Sequence, residues 1–197
     1  MDCCMHIKNK LLYFLIFTDS FFNISSLILV PIFAVYVLSL GGDVRHIGEI
    51  YAIQAIAFGV VGWLASRYWI DQRHGIAIAY FLWTIYSVVL IFNQSLYVFY
   101  ALQLVSGAAN AIRYPFLQLS ISDHTGDVKI ALFYKTLYRF AGDLAGALLA
   151  MLVAHYAYHK GFQPVFIIMS CLSAIACING IFYGKNIYKK NHAMPAK

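Results

Sequence analysis

Six uninterrupted apolar stretches, each on the order of 20 residues, follow one another along this chain. A stretch of that length crosses a hydrocarbon core about 30 Å thick as a helix. Hydrocarbon tolerates only helices or closed barrels, because each backbone N–H and C=O must find its partner internally, and these stretches are too long and too uniformly apolar for barrel strands. The expected fold is all-α, an integral membrane bundle of six transmembrane helices. Composition agrees: 62% of the 197 residues are hydrophobic and 11% are charged, against roughly 45–50% apolar and 25% charged in soluble domains. A water-soluble globule is excluded, and no length remains for a separate soluble domain.

The spans are expected at about 11–40, 47–69, 76–92, 96–121, 129–156 and 162–183, between a tail over 1–10 and a basic tail over 185–197. Turn signals separate them at Gly41-Gly42-Asp43, Asp71 to Gly75, Asn93-Gln94-Ser95, Asp123 to Asp127 and His159-Lys160-Gly161. Lys8, Lys10, Arg67, Arg73, Lys129, Lys185, Lys189, Lys190 and Lys197 fall on one side of the membrane, with only Arg45 and Lys160 opposite. The positive-inside rule then puts both termini in the cytoplasm of a plasma (inner) membrane protein. That asymmetry accounts for the net charge of +6 without a nucleic-acid partner. Cys3, Cys4, Cys171 and Cys177 show no zinc spacing, so no metal, disulfide or cofactor is expected. Cys3-Cys4 reads as free thiols, with lipidation as the alternative. No A-x-A-like cleavage site follows the first span, which is read as retained.

The two triplets of spans share landmarks. Pro31 and Pro115 sit at similar depths in spans one and four, and Gly59 and Gly62 of span two have counterparts in Gly142 and Gly146 of span five. Three spans of offset invert the second triplet, which makes a 3+3 inverted repeat.

Five ionisable residues cannot be placed in loops: Asp19 in span one, Arg113 in span four, and Lys135, Arg139 and Asp143 in span five. Each costs at least about 2.5–3.5 kcal/mol at a bilayer centre, so each must face protein or water. At about 1.5 Å per residue, Asp19 and Arg113 lie roughly 12 Å, and Arg139 roughly 15 Å, from the same membrane face. Lys135, Arg139 and Asp143 recur every fourth residue, a single stripe along which Arg139 and Asp143 can pair. Spans three and six carry no formal charge. Spans one, four and five, with Gln54 of span two and Asn110 of span four, are therefore expected around a polar, solute-holding interior, with three and six toward lipid. A second reading makes the charges a structural network, Asp19 bridging to Arg113 or to Arg139 to fix helix register.

Gly142-x-x-x-Gly146 and Ser106-Gly107-Ala108-Ala109 suit close helix contact. Trp69, Tyr97, Tyr156 and Tyr158 read as interfacial anchors, and His155 and His159 as solvated residues or a proton sensor. No enzyme is expected, and no catalytic residue is assigned: Ser106 has no histidine on span six to serve as its base, and no nucleotide or metalloprotease motif occurs.

Several segments taken together resemble the N-terminal six-helix half of major facilitator superfamily transporters. Gly62-Trp63-Leu64-Ala65-Ser66-Arg67 is similar to the start of the motif that closes the family's second helix, with Ser66 at the aspartate position and an acidic and basic set displaced to Asp71-Gln72-Arg73-His74-Gly75. Leu102 to Ala109, Pro115 and the turn from Ser120 to Asp123 resemble its glycine-rich fourth helix, with Gln103 where many members carry a basic residue. Gly142 and Gly146 match its fifth helix, and Ala147 stands at the antiporter proline. The resemblance implies a central cavity walled by the first and fourth helices and partly by the second and fifth. It also implies two such halves, so a homodimer, a second six-helix chain, or a fragment of a longer protein. The expected function is a secondary transporter protomer moving a small polar solute by alternating access, with a lean toward anions. Arg113, Arg139, Lys135, Gln54 and Asn110 would bind the solute, and Asp19 or Asp143 would carry a coupling proton or form ion pairs. The alternative is a non-transporting subunit or truncated half that assembles with a partner.

Overall fold

The computed structural model describes residues 2–67, 72–125 and 128–192. Six helices account for nearly all of them: α1 (Asp2–Ser39), α2 (Val44–Arg67), α3 (Gln72–Phe92), α4 (Leu96–Thr125), α5 (Val128–Lys160) and α6 (Gln163–His192). There is no strand among the described residues. Helical structure runs past the apolar stretches at both termini, so residues 2–10 continue α1 where a tail was expected, and α6 extends beyond 185. Apolarity marks where a helix meets hydrocarbon, whereas helical hydrogen bonding continues past that limit. Trp69, Asp71 and Asp127, named above as an anchor and turn residues, lie outside the described residues.

Among the described residues, five helices contain a stretch long and apolar enough to cross a bilayer. The exception, α4, is long enough at 30 residues but carries Gln103, Asn110, Arg113 and Gln118. Its polarity follows from its place, because it touches α1, α2, α3 and α5 and so shows little of itself to lipid.

The turn between α1 and α2 is specified locally. Gly41 takes φ +82°, a backbone that side chains oppose. Its N–H bonds Leu38 O at 3.1 Å while Gly42 N–H bonds Val37 O at 3.1 Å, the paired closure that ends many helices. Asp43 then caps α2, its Oδ1 accepting the His46 backbone N–H at 3.1 Å while His46 Nδ1 lies 3.1 Å from the Asp43 N–H. This cap starts α2 at Val44, ahead of the apolar run expected from 47.

Packing obeys an exchange of α1 with α4, α2 with α5, and α3 with α6. Contact of α1 with α5 corresponds to that of α4 with α2, contact of α1 with α6 to that of α4 with α3, and α3 and α6 meet each other. Detail follows the same rule. Gly62 faces Ala111 Cβ across α2 and α4, and the residues at the Pro31-to-Pro115 separation, Gly146 and Leu27, face each other across α5 and α1. The bundle is thus a 3+3 inverted repeat, and close approach at glycine is one of its repeated devices.

One expectation needs correction. α3 and α6 are not simply turned to lipid, because they form the most extensive helix contact in the bundle. The inner face of α3 buries Tyr80, Trp83 and Tyr86. α2 buries only Ile50 and Ala57, and α5 leaves Phe140, Leu148 and Met151 uncovered.

Candidate functional site: an ionic cleft between α1, α4 and α5

Asp19 and Arg113 face each other in the interior. Arg113 Nε donates to Asp19 Oδ1 at 2.6 Å and Nη2 to Oδ2 at 2.7 Å, a two-pronged pair in which the planar guanidinium matches the carboxylate. Its side chain is 4% exposed and that of Asp19 14%. Desolvated charges of this kind persist only when their remaining valences are met. Tyr80 of α3 donates its hydroxyl to Asp19 Oδ1 at 3.0 Å, Nη2 of Arg113 also donates to Asn23 Oδ1 at 3.0 Å, and the guanidinium lies 4.3 Å from the Phe22 ring centre.

Asn23 extends the network to a second ion pair. Its Nδ2 points at Asp143 Oδ1, 3.5 Å away, and Asp143 Oδ2 lies 3.6 Å from Arg139 Nε. That pair is looser and half exposed. A narrow cleft of about 30 Å³ is lined by Asp19, Asn23, Arg113 and Arg139 among others. Arg113 is held by several close partners, whereas Arg139, which lines the cleft, has among the described residues one distant partner.

Of the two bridges the sequence left open for Asp19, the structure forms the one to Arg113. It brings Asp19, Arg113, Arg139 and Asp143 together as a group. It does not bring Gln54 or Asn110 to them. Gln54 lies in a separate cavity, donating to Ser106 Oγ at 2.9 Å, and the amide of Asn110 bonds back to Ser106 O of its own helix at 3.1 Å. Lys135 belongs to α5, and its side chain lies outside what the structure describes. Sequence reasoning missed Asn23 and Tyr80. Asn23 carried a signal, being four residues beyond Asp19 and so on the same face of α1. Tyr80 carried none, since a tyrosine in an uncharged span reads as apolar filling.

The remaining charges stand apart. Glu49 accepts from Arg45 Nε at 2.8 Å and from the Tyr100 hydroxyl at 2.6 Å. In the α1–α2 turn, the His46 backbone N–H holds the Asp43 carboxyl below the usual carboxylate range. His155 and His159 pack edge to face, their ring centres 4.9 Å apart. Among the described residues no group of three or more His, Cys, Asp or Glu is placed to hold a metal ion.

The family model described as Major Facilitator Superfamily matches residues 11–194. No curated protein matches the chain.

Proposed function

The chain belongs to the major facilitator superfamily, whose members are transporters of small solutes, and on that footing we propose that it is a protomer of a secondary transporter for a small polar solute, with a lean toward anions. The observation that carries this reading is the cleft between α1, α4 and α5, where a loosely held arginine and a buried ion pair line the same narrow space. Arg139 supplies the first contact for a carboxylate or phosphate group, which its fork of donors fits. Arg113 becomes available only when Asp19 lets go, so a proton taken up by Asp19 and an anion taken up by Arg113 favour each other. Lys135, one helical turn before Arg139, belongs to the same stripe. Gln54 and Asn110 stay outside this cleft and act, in this reading, along the solute's route.

The six helices are one half of the working unit, and a second copy or a second six-helix chain completes it. The plasma (inner) membrane is the proposed location, with both termini on the cytoplasmic side. Alternating access by rocking of two halves follows the general logic of inverted-repeat transporters.

Uptake of a panel of organic acids and inorganic phosphate by proteoliposomes tests the reading. Arg139→Gln should abolish saturable uptake of the accepted anion while leaving the elution of the detergent-solubilised protein unchanged. Full uptake by both Arg139→Gln and Arg113→Ala would remove the anion site. The mass of the solubilised assembly should correspond to two six-helix units.

One observation favours a second reading. The two-pronged Asp19–Arg113 pair is what a packing lock in a non-transporting subunit would look like. Replacing both residues by apolar ones separates the two, as developed below.

A further inference from the structure

The end of α5 carries a pair of side chains that the cleft does not use. His155 and His159 are both exposed and stand four residues apart, so they rise from one face of the helix. Their ring centres are 4.9 Å apart, with planes at 72°. His155 lies sixteen residues beyond Arg139, roughly 24 Å along the axis and turned roughly 160° about it. The pair is therefore separate from the ionic cleft.

Two imidazoles at this spacing can chelate. Histidines at i and i+4 on one helical face are the pair that holds zinc in helical metalloprotease motifs. A metal ion about 2.0–2.1 Å from each ring nitrogen, with about 90–110° between the two bonds, holds the ring centres about 4.5–5.2 Å apart. The observed 4.9 Å falls inside that interval. Edge-to-face packing accommodates the same distance, and adding metal distinguishes the two. Exposed side chains bring their nitrogens to a common point by rotation between staggered wells. Tyr158 packs edge to face against His159, ring centres 5.1 Å apart, and steadies that ring.

The donor set selects the ion. Among the described residues no third His, Cys, Asp or Glu joins the pair, so no carboxylate is at hand for calcium or magnesium, which take oxygen ligands. Imidazole suits copper, nickel and zinc, and affinity within that group peaks at copper(II). A structural zinc site closes around four protein ligands. This pair supplies two, and solvent completes the shell.

We infer that His155 and His159 form a two-point chelate for a divalent transition-metal ion of the copper, nickel and zinc class, with copper(II) held most tightly. The ion ties one turn of α5 to the next just before the chain leaves the helix at Gly161, whose φ is +82°. It thereby stabilises that helix end, whether or not the ionic cleft carries flux.

The full chain, purified without a polyhistidine tag, is titrated in detergent with copper(II), nickel(II) and zinc(II), and with magnesium and calcium, by isothermal titration calorimetry. Expected is a saturable copper(II) event of one ion per chain that magnesium and calcium do not produce. Loss of a group that merely supports a metal ligand costs about 10–100-fold in affinity. His155→Gln and His159→Gln each remove a ligand outright, so each should weaken copper(II) binding by at least that factor. A third variant keeps the number of imidazoles: His159→Gln with Lys160→His moves the second ring to i+5, roughly 140° around the helix, and should bind no better than His159→Gln alone. All three positions are exposed, so elution and helix content should not change. Absence of saturable copper(II) binding would overturn the inference, as would parental affinity in either single variant or in the variant with the displaced ring.

Discussion

Removing one member of the Asp19–Arg113 pair should cost far more than removing both. Asp19→Leu leaves a guanidinium whose side chain is 4% exposed, with Asn23 Oδ1 and the Phe22 and Tyr114 rings as its surviving contacts. Arg113→Met leaves a carboxylate that keeps the Tyr80 hydroxyl, is 14% exposed and lines the cleft. Loss of one partner from a buried pair costs about 3–5 kcal/mol. Asp19→Leu belongs at the upper end because the orphaned cation is the more deeply buried of the two, and Arg113→Met at the lower because the carboxylate is more exposed and can hydrate. The double variant removes both charges and should return to within about 1 kcal/mol of the parent, with a coupling energy expected for residues in direct contact. Unfolding in mixed micelles of mild detergent and dodecyl sulfate, followed by tryptophan emission, measures all four corners of the cycle. Single variants that each cost less than about 1 kcal/mol, the range of solvent-exposed pairs, would refute the argument, as would a double variant no more stable than the worse single. Uptake measured on the parent and on the double variant decides between the readings: a transporter that needs the pair is active as the parent and stable but silent as the double variant, whereas a non-transporting subunit shows no uptake in either.

Four further outcomes follow from local geometry. A Cβ on Gly107 would fall 2.5 Å from Gln54 O and 2.8 Å from Ala57 Cβ, so Gly107→Ala should separate α2 from α4 at a cost of about 1–3 kcal/mol. Gly59→Ala, with nothing within 4 Å of the added atom, should be neutral or slightly stabilising in the same unfolding assay. Tyr80→Phe removes a hydrogen bond to a charged acceptor and should cost about 1.5–3 kcal/mol, an effect absent once Asp19 is already leucine. In the α1–α2 turn, the His46 amide depresses the Asp43 carboxyl, so the cap contributes stability above the usual aspartate range and loses it as pH falls through the lower, folded value; a carboxyl carbon-13 titration of Asp43 should have its midpoint below that of a model aspartate.

Much of this architecture was legible because hydrocarbon punishes ionised groups so heavily. Asp19, Arg113 and Arg139 could be placed at one level from helix rise alone, and the pairing of Arg139 with Asp143 from their spacing of four. What stayed hidden depends on rotation and partners. Nothing in the sequence says that Arg113 rather than Arg139 takes Asp19, because that depends on how α4 and α5 turn about their axes. Gln54 was assigned to the charged interior on polarity alone, whereas its position on α2 carries it to the opposite end of the α1–α4 contact. Asn110 looked available until its bond to Ser106 O engaged one of its amide donors. α3, uncharged and thus read as a lipid-facing helix, supplies Tyr80 because a phenol can be buried cheaply along its ring and still present one donor.

The exchange of α1–α3 with α4–α6 has a consequence for polarity. A backbone that looks the same when turned upside down has no intrinsic sense of inside and outside, so any vectorial preference must be written in the few side chains that break the likeness. Asp19 against Gln103, and Arg113 against Leu29, are two such differences. Transplanting that quartet between the ends would leave the scaffold intact while reversing which mouth is electrically marked.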